Sequence, residues 1–316
     1  MTPPATIAPA AFGPEAIPYA GEPLPSGGRR IDAPAKVNLF LELVRKRPDG
    51  YHDLETLIVL VELADTLEVE PRTDGELRIE CDEPAIPTGP ANLVWKAADA
   101  LRVRFGVTAG ATIRLTKRVP HEAGLGGGSS DAASTIAALN AVWGLNRTAT
   151  ELAPVAAEVG SDVAAFLCPP ACWCTGRGEV VEPVPLGAPL HLVIVKPPVG
   201  LSTAAVYQAC AVPETPVNGS AMRIALAVGA VGAIGAGLHN RLQSPAFVLQ
   251  PAVKAVYDAL TATEPAGVLV SGSGSCVFAV ARDAADADRI ARDLAAPDCR
   301  VFATRTRTAQ LSPTRP

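Results

Sequence analysis

The chain has 316 residues, enough for about two domains of ordinary size or one large one, which excludes a peptide-sized or disulfide-stapled architecture. Hydrophobic residues make up 48% and charged residues 19%, a globular balance, and with no uncharged apolar run of roughly 18 residues a membrane span is not expected. Lys plus Arg number 27 against 32 Asp plus Glu, and aromatic residues are 4%, so both the basic surplus and the stacking platforms of a nucleic-acid binder are missing.

Residues 1–30 hold seven prolines and no Lys or Arg before Arg29, matching neither a secretory signal nor an Arg-rich transit peptide. They read as a disordered extension. From Lys36 to Val44 the apolar residues Val37, Leu39, Leu41 and Leu43 alternate with Lys36, Asn38, Phe40 and Glu42, which predicts a half-buried strand. Equal parity puts Lys36 and Asn38 on one face of it. Arg47-Pro-Asp-Gly50 is a turn signal, with Pro second and Gly fourth. Further short strands are expected at 57–63, 66–70 and 76–80. Asn92 is positioned to N-cap a helix with Val94, Ala97, Ala98, Leu101 and Phe105 at helical spacing, and Ala111, Ile113 and Leu115 mark one face of another strand.

The next segment, Pro120-His-Glu-Ala-Gly124-Leu-Gly-Gly-Gly128-Ser-Ser130-Asp, precedes a helix expected over 132–143. Glycines let the backbone approach a ligand closely, and free NH groups at a helix start favour an anion, most simply a phosphate. The segment is neither a Walker A loop, since no Gly-Lys-Ser/Thr follows, nor a dinucleotide fingerprint, since Ser129 occupies the last glycine position. Phosphoryl transfer also needs cations and a carboxylate near the accepting hydroxyl, and Lys36, Lys117, Asp131 and Asp162 are the candidates.

A helix ending near Gly160 contains Pro154, which obscures its start, and 190–195 reads as a fully buried strand. Helices follow at 202–211, 221–228 and 251–260, then a strand at 267–270, a tight turn Ser271-Gly-Ser-Gly-Ser275, a strand at 276–280, a helix at 284–294 and a strand at 300–304. The pattern implies two α+β domains meeting near 170–190. The seven cysteines, mostly flanked by apolar residues, read as reduced and largely buried thiols of a cytoplasmic protein. The cluster Cys168-Pro-Pro-Ala-Cys172-Trp-Cys174 lacks the paired spacing of a zinc site.

Three segments in order, Pro34-Ala-Lys36-Val-Asn38-Leu-Phe-Leu, Pro120 to Ser130, and Val270-Ser-Gly272-Ser-Gly274-Ser-Cys-Val-Phe-Ala, resemble the three motifs of the GHMP kinase superfamily. Arg47-Pro-Asp-Gly-Tyr51-His52-Asp-Leu-Glu-Thr56 is similar, more narrowly, to the branch that acts in non-mevalonate isoprenoid biosynthesis. The likeness runs from about Ile31 to about Thr304.

The resemblance implies a two-domain α+β GHMP kinase fold: an N-terminal ribosomal-protein-S5-like α/β domain over 31–180, a C-terminal ferredoxin-like α+β domain over 181–308, an active site in the cleft between them and a tail over 309–316. It implies ATP as co-substrate, Mg²⁺, and phosphorylation of the 2-hydroxyl of 4-diphosphocytidyl-2-C-methyl-D-erythritol, with no nucleic-acid or membrane partner. Oligomeric state is left open between a monomer and a weak homodimer. Carried over by position, Asp162 matches the catalytic base and Lys36 its partner lysine, whose ammonium would keep the carboxylate ionised. Lys117, Pro120, Gly124, Leu125, Gly126, Gly127, Gly128, Ser129 and Ser130 match the ATP site, with Ser130 the side-chain candidate for Mg²⁺. Asn38, Tyr51, His52, Asp162 and Tyr207 match the substrate site, where Tyr51 and Tyr207 would flank the cytosine; an ordinary core position is the other reading of Tyr207. Glu122 departs from the family pattern by placing a carboxylate beside a triphosphate site, and Ala164 stands where Pro is common. Another small-molecule kinase of the superfamily and a catalytically silent nucleotide binder are the alternatives.

Overall fold

The computed structural model describes residues 20–168 and 170–308. Strand β1 (Glu22–Pro23) pairs antiparallel with the start of β2 (Arg29–Lys46), so residues 20–30 of the expected disordered extension already meet a sheet. Residues 1–19 and the expected tail 309–316 lie outside the described residues.

The Arg47–Gly50 turn leads from β2 into β3 (His52–Arg72), with Gly50 NH donating to the Arg47 carbonyl at 3.2 Å. The two strands expected at 57–63 and 66–70 are therefore one. Leu63-Ala-Asp-Thr contains neither Gly nor Pro, and β2 pairs with β3 on both sides of it. Then follow β4 (Leu77–Cys81), α1 (Leu93–Phe105), β5 (Gly110–Thr116), α2 (Gly127–Val142) and α3 (Ala149–Val159). Asn92 caps α1 by accepting from Val94 NH, as expected. A Thr148/Glu151 capping box starts α3, which carries Pro154 inside it. A 3-10 turn (Ala164–Leu167) leads to the hairpin β6 (Ala171–Thr175) and β7 (Val180–Pro183).

The second half contains β8 (His191–Lys196), α4 (Thr203–Ala209), α5 (Ser220–Val228), α6 (Val231–Gly237), β9 (His239–Asn240), α7 (Gln243–Leu249), α8 (Pro251–Ala262), β10 (Gly267–Val270), β11 (Val277–Ala281), α9 (Ala284–Asp293) and β12 (Arg300–Arg305). One sheet runs β1-β2-β3-β5-β4, with β6 on a separate stretch of β3, β7 on β6 and β9 parallel to β2; the other runs β10-β11-β8-β12. The hairpin at 171–183, where the domains were expected to meet, thus belongs wholly to the first sheet.

These sheets stack. Ile31, Ile58, Leu60 and Leu67 pack under α1, α2 and α3, while Val37, Leu39, Leu57 and Val59 pack against Leu192, Ile194, Phe278 and Val280 of the second sheet. The far face of that second sheet is covered by α4, α7, α8 and α9. Strand β2 is consequently buried on both faces, not half-buried as the alternation suggested: Lys36, Asn38 and Glu42 are 4%, 3% and 0% exposed. The parity rule also breaks after Asn38, where a bulge between Asn38 and Phe40 turns Phe40 into the same core as Leu39.

Candidate active site

The Gly-rich segment leaves the sheet after β5 and enters α2 at Gly127, earlier than the expected helix start at Ala132. Two of its glycines are dictated by geometry. Gly124 (φ 73°) packs so tightly on the 271–274 turn that a Cβ there would stand 1.9 Å from the Ser271 carbonyl oxygen. Gly126 (φ 69°) caps α2, and a Cβ there would stand 2.7 Å from the Phe166 ring. The two glycine-rich segments, about 150 residues apart in sequence, thus interlock. Ser271 Oγ donates to the Gly124 carbonyl (2.9 Å), and Cys276 NH donates to the Ala123 carbonyl (3.1 Å).

Lys36 sits beneath this junction. Its ammonium donates to Asn38 Oδ1 (2.5 Å) and to the Gly124 carbonyl (2.8 Å), which confirms that Lys36 and Asn38 share a face. An ammonium has three donors, so one is left for an incoming oxygen. Burial pushes the Lys36 pKa down, and the charge of Asp162 pulls it back up. Among the described residues Lys36 and Asp162 do not form a contact ion pair, so the intimate pairing expected from the sequence is an interaction across the cavity. Asn38 in turn donates to Thr56 Oγ1 (2.8 Å), and Thr56 donates to the Phe40 carbonyl (2.7 Å). Asn38 therefore orients Lys36 as well as facing the cavity.

Lys117 is clamped between two carboxylates, Asp65 and Asp131. Asp65 also accepts from Val119 NH (2.8 Å), fixing the start of the loop. Burial, opposed by Lys117 and reinforced by Asp65, pushes the Asp131 carboxyl well above the usual carboxylate range. Ser130 Oγ and Asp131 Oδ1 are buried and have no hydrogen-bond partner among the described residues. Two unpartnered oxygens on adjacent residues near the start of α2 suit a Mg²⁺ held chiefly by phosphates, since that ion typically takes only one or two protein ligands. No cluster of three or more His, Cys, Asp or Glu side chains that could hold a metal alone exists among the described residues.

Two cavities meet here. One of about 440 Å³ is lined by Lys36, Lys117, Gly126, Ser129 and Asp162, with Ile86, Pro87 and Leu93 forming an apolar wall. The other, about 840 Å³, is lined by Tyr51, His52, Arg177, Tyr207 and again Asp162. Pro120, Gly124, Leu125, Gly127 and Gly128 line the first; Ser130 lies fully buried between the lining residues Ser129 and Asp131. Tyr51 is exposed (55%), while the His52 and Tyr207 rings lie 5.7 Å apart. Burial, aided by Lys46, lowers the His52 pKa and favours the neutral ring; burial raises that of Tyr207. Tyr207 packs on the second-sheet core and also lines the cavity. Glu122 has φ 50° and directs its carboxylate to Gly200, where a Cβ would stand 2.7 Å from Oε2.

Sequence reasoning missed three parts of this arrangement. Arg177 lies with its guanidinium carbon 4.9 Å from the Tyr51 ring centre. Buried Glu42 on β2 is held by Arg241, which grips both of its oxygens at 2.7 Å, and by His239 of β9, whose Nε2 lies 3.0 Å from Oε2. Asn240 donates to the Val270 (2.8 Å) and Gly272 (2.7 Å) carbonyls, holding the second glycine turn. The polar run His239-Asn-Arg241 inside an apolar region was the available signal. All seven cysteines are free, with Cys168, Cys172, Cys174 and Cys276 buried.

The GHMP kinases N terminal domain matches residues 92–169, and the GHMP kinases C terminal domain matches 221–297. The chain is 40% identical over 276 residues to a 4-diphosphocytidyl-2-C-methyl-D-erythritol kinase of Shouchella clausii (strain KSM-K16), covering 87% of this chain and 93% of that protein. It is 35% identical over 276 residues to the protein of the same name from Bacillus subtilis (strain 168), covering 86% and 95%. A crystal structure of 4-(cytidine 5'-diphospho)-2C-methyl-D-erythritol kinase superposes with a TM-score of 0.74 at 36% identity, over 88% of this chain and 100% of that one. Homoserine kinase from Cytophaga hutchinsonii shares the fold at a TM-score of 0.71 and 21% identity, over 88% and 94%. Fold and interlocked glycine segments are those of a GHMP small-molecule kinase. Within that class the chain belongs to the 4-diphosphocytidyl-2-C-methyl-D-erythritol kinase family.

Proposed function

We propose that the protein transfers the γ-phosphoryl group of ATP to the 2-hydroxyl of 4-diphosphocytidyl-2-C-methyl-D-erythritol, giving the 2-phosphate and ADP. The observation that carries this reading is Asp162, which lines both cavities and so stands where a nucleotide on the glycine loop would meet a substrate lying along Tyr51 and His52.

In this mechanism the apolar wall of Ile86, Pro87 and Leu93 takes the purine, and Lys117, held by its two carboxylates, contacts the nucleotide. The NH groups of Gly126 to Ser129 and the positive end of α2 hold the phosphates. Asp162 accepts or orients the hydroxyl proton while the oxygen attacks phosphorus in line and the bond to the β–γ bridging oxygen breaks. Lys36 turns its remaining N–H toward the charge that develops. Mg²⁺, when bound, neutralises the β- and γ-phosphate oxygens; Ser130 and Asp131 are the residues that would hold it. Tyr51 and Tyr207 flank the cytosine, and neutral His52 hydrogen-bonds its edge. Asn38 contacts the alcohol while bracing Lys36.

A two-domain division belongs to this reading; because β7 keeps residues up to Pro183 in the first sheet and the second sheet begins at His191, the reading puts the boundary between them and not at the expected residue 180. A cytoplasmic enzyme, monomeric or weakly dimeric, without nucleic-acid or membrane partners, completes it. Coupled ADP release with ATP, Mg²⁺ and the diphosphocytidyl alcohol, run beside the same alcohol without its cytidyl group, tests it. Turnover that depends on the cytidyl group is expected. Equal turnover of both alcohols would point to another small-molecule kinase, and none with either, despite ATP binding, to a silent binder.

A further inference from the structure

The β6–β7 hairpin ends in a turn, Thr175-Gly-Arg177-Gly178, that overhangs the larger cavity. Gly176 (φ 70°) and Gly178 (φ 113°) permit its shape, Gly178 NH donates to the Thr175 carbonyl (3.1 Å), and Leu54 NH donates to the Gly176 carbonyl (2.8 Å), tying the turn to β3. It reaches both ends of the cavity. A Cβ on Gly178 would stand 3.4 Å from Asp162 Oδ1, while the Arg177 guanidinium lies on one face of the Tyr51 ring.

Charge distribution singles this arginine out. Nearby Arg45 and Arg47 are committed to Asp53 and Asp49. Arg177 and Lys46, the two basic side chains lining the larger cavity besides neutral His52, have no ion-pair partner among the described residues, and the one carboxylate of the lining is Asp162. A partly buried cation that stacks on an aromatic face and feels the nearby Asp49 charge without forming a contact ion pair presents most of its five donors to whatever enters the cavity.

We propose that Arg177 is the specificity-determining contact for the diphosphate of the substrate. This rests on the functional reading above, in which the base lies at Tyr51 and the reacting hydroxyl at Asp162. A diphosphate linking those two ends passes the turn that touches both. The guanidinium fork meets its oxygens in a bidentate manner and, by covering one face of Tyr51, leaves the opposite face for the base. Lys46, at the exposed rim, adds charge without comparable geometry.

The test is the calorimetric affinity of the full chain for cytidine and for CDP, in wild type, Arg177→Met and Arg177→Lys. Wild type is expected to prefer CDP, and Arg177→Met to lose about tenfold or more of that preference while cytidine binding changes little, as for losing charge-assisted hydrogen bonds. Arg177→Lys should retain part of it. If both affinities fall by one factor in Arg177→Met, Arg177 merely props Tyr51 and the proposal is wrong; unchanged affinities refute it equally. Failure of wild type to bind either ligand would instead sink the functional reading itself, a result visible before any variant is made.

Discussion

The Lys36 ammonium lies 2.8 Å from the carbonyl oxygen of Gly124, a contact across 88 residues that ties strand β2 to the glycine loop. The same carbonyl accepts from Ser271 Oγ at 2.9 Å, so one backbone oxygen gathers three separated segments. The position of the lysine therefore depends on a peptide group that only glycine can supply in this conformation.

Gly124→Ala should disrupt that gathering point. The new Cβ meets the Ser271 carbonyl oxygen, and φ 73° is itself strained for alanine. A stability loss of about 1–3 kcal/mol is expected, with a larger fractional drop in kcat than in ATP affinity. Thermal melting and steady-state kinetics read both; wild-type kcat would refute the close contact.

Asp162→Asn and Lys36→Ala remove the groups placed on either side of the cavity junction. Each is expected to lower kcat by roughly 10²–10⁴ with folding intact, the usual scale for a proton-transfer group. Single-turnover assays and circular dichroism check this. Near wild-type turnover in both would overturn the assignment of the chemistry.

Asn240→Ala leaves the buried Val270 and Gly272 carbonyls without their donor. A cost of about 1–3 kcal/mol is expected for the unsatisfied groups, and kcat should fall because Gly272 lines the cavity shared by Lys36 and Asp162. Asn240→Asp, which keeps the acceptor for Leu242 NH but loses the donor, should behave similarly. Chemical denaturation and kinetics on both variants separate the donor's role from packing.

Glu42 provides the pH prediction. Burial pushes its carboxyl up, but hydrogen bonds from Arg241, Val217 NH and Leu43 NH outweigh that and hold it at about 2, against an ordinary 4.5. A depressed pKa means that its stabilisation is complete above about 4.5 and is lost as pH falls toward 2. Glu42→Gln should cost about 3 kcal/mol at neutral pH, as for breaking a buried ion pair. The gap between variant and wild type should shrink over that acid window in a series of urea melts. A gap independent of pH would mean that the charge of Glu42 carries none of the effect.

Much of the site was legible because it is local. The glycine segment before α2, the Asn92 cap, the Pro-Asp-Gly turn and the shared face of Lys36 and Asn38 each follow from a few consecutive residues. Alternation failed for β2 because periodicity reports one covered face, whereas here a second sheet covers the other. Arg177 escaped notice because an arginine in a glycine turn is usually solvated; its place over Tyr51 requires the hairpin to pack on β3.

The sequence by itself determined most of the elements and the anion-ready backbone of the glycine loop, since turn residues, caps and glycines act over a few positions. Only the tertiary structure decided that two glycine segments about 150 residues apart interlock, that β9 returns to pair with β2, and that Asp162 belongs to two cavities at once. These are long-range pairings, set by which buried faces and unsatisfied carbonyls find partners when the sheets stack, and no local pattern encodes them.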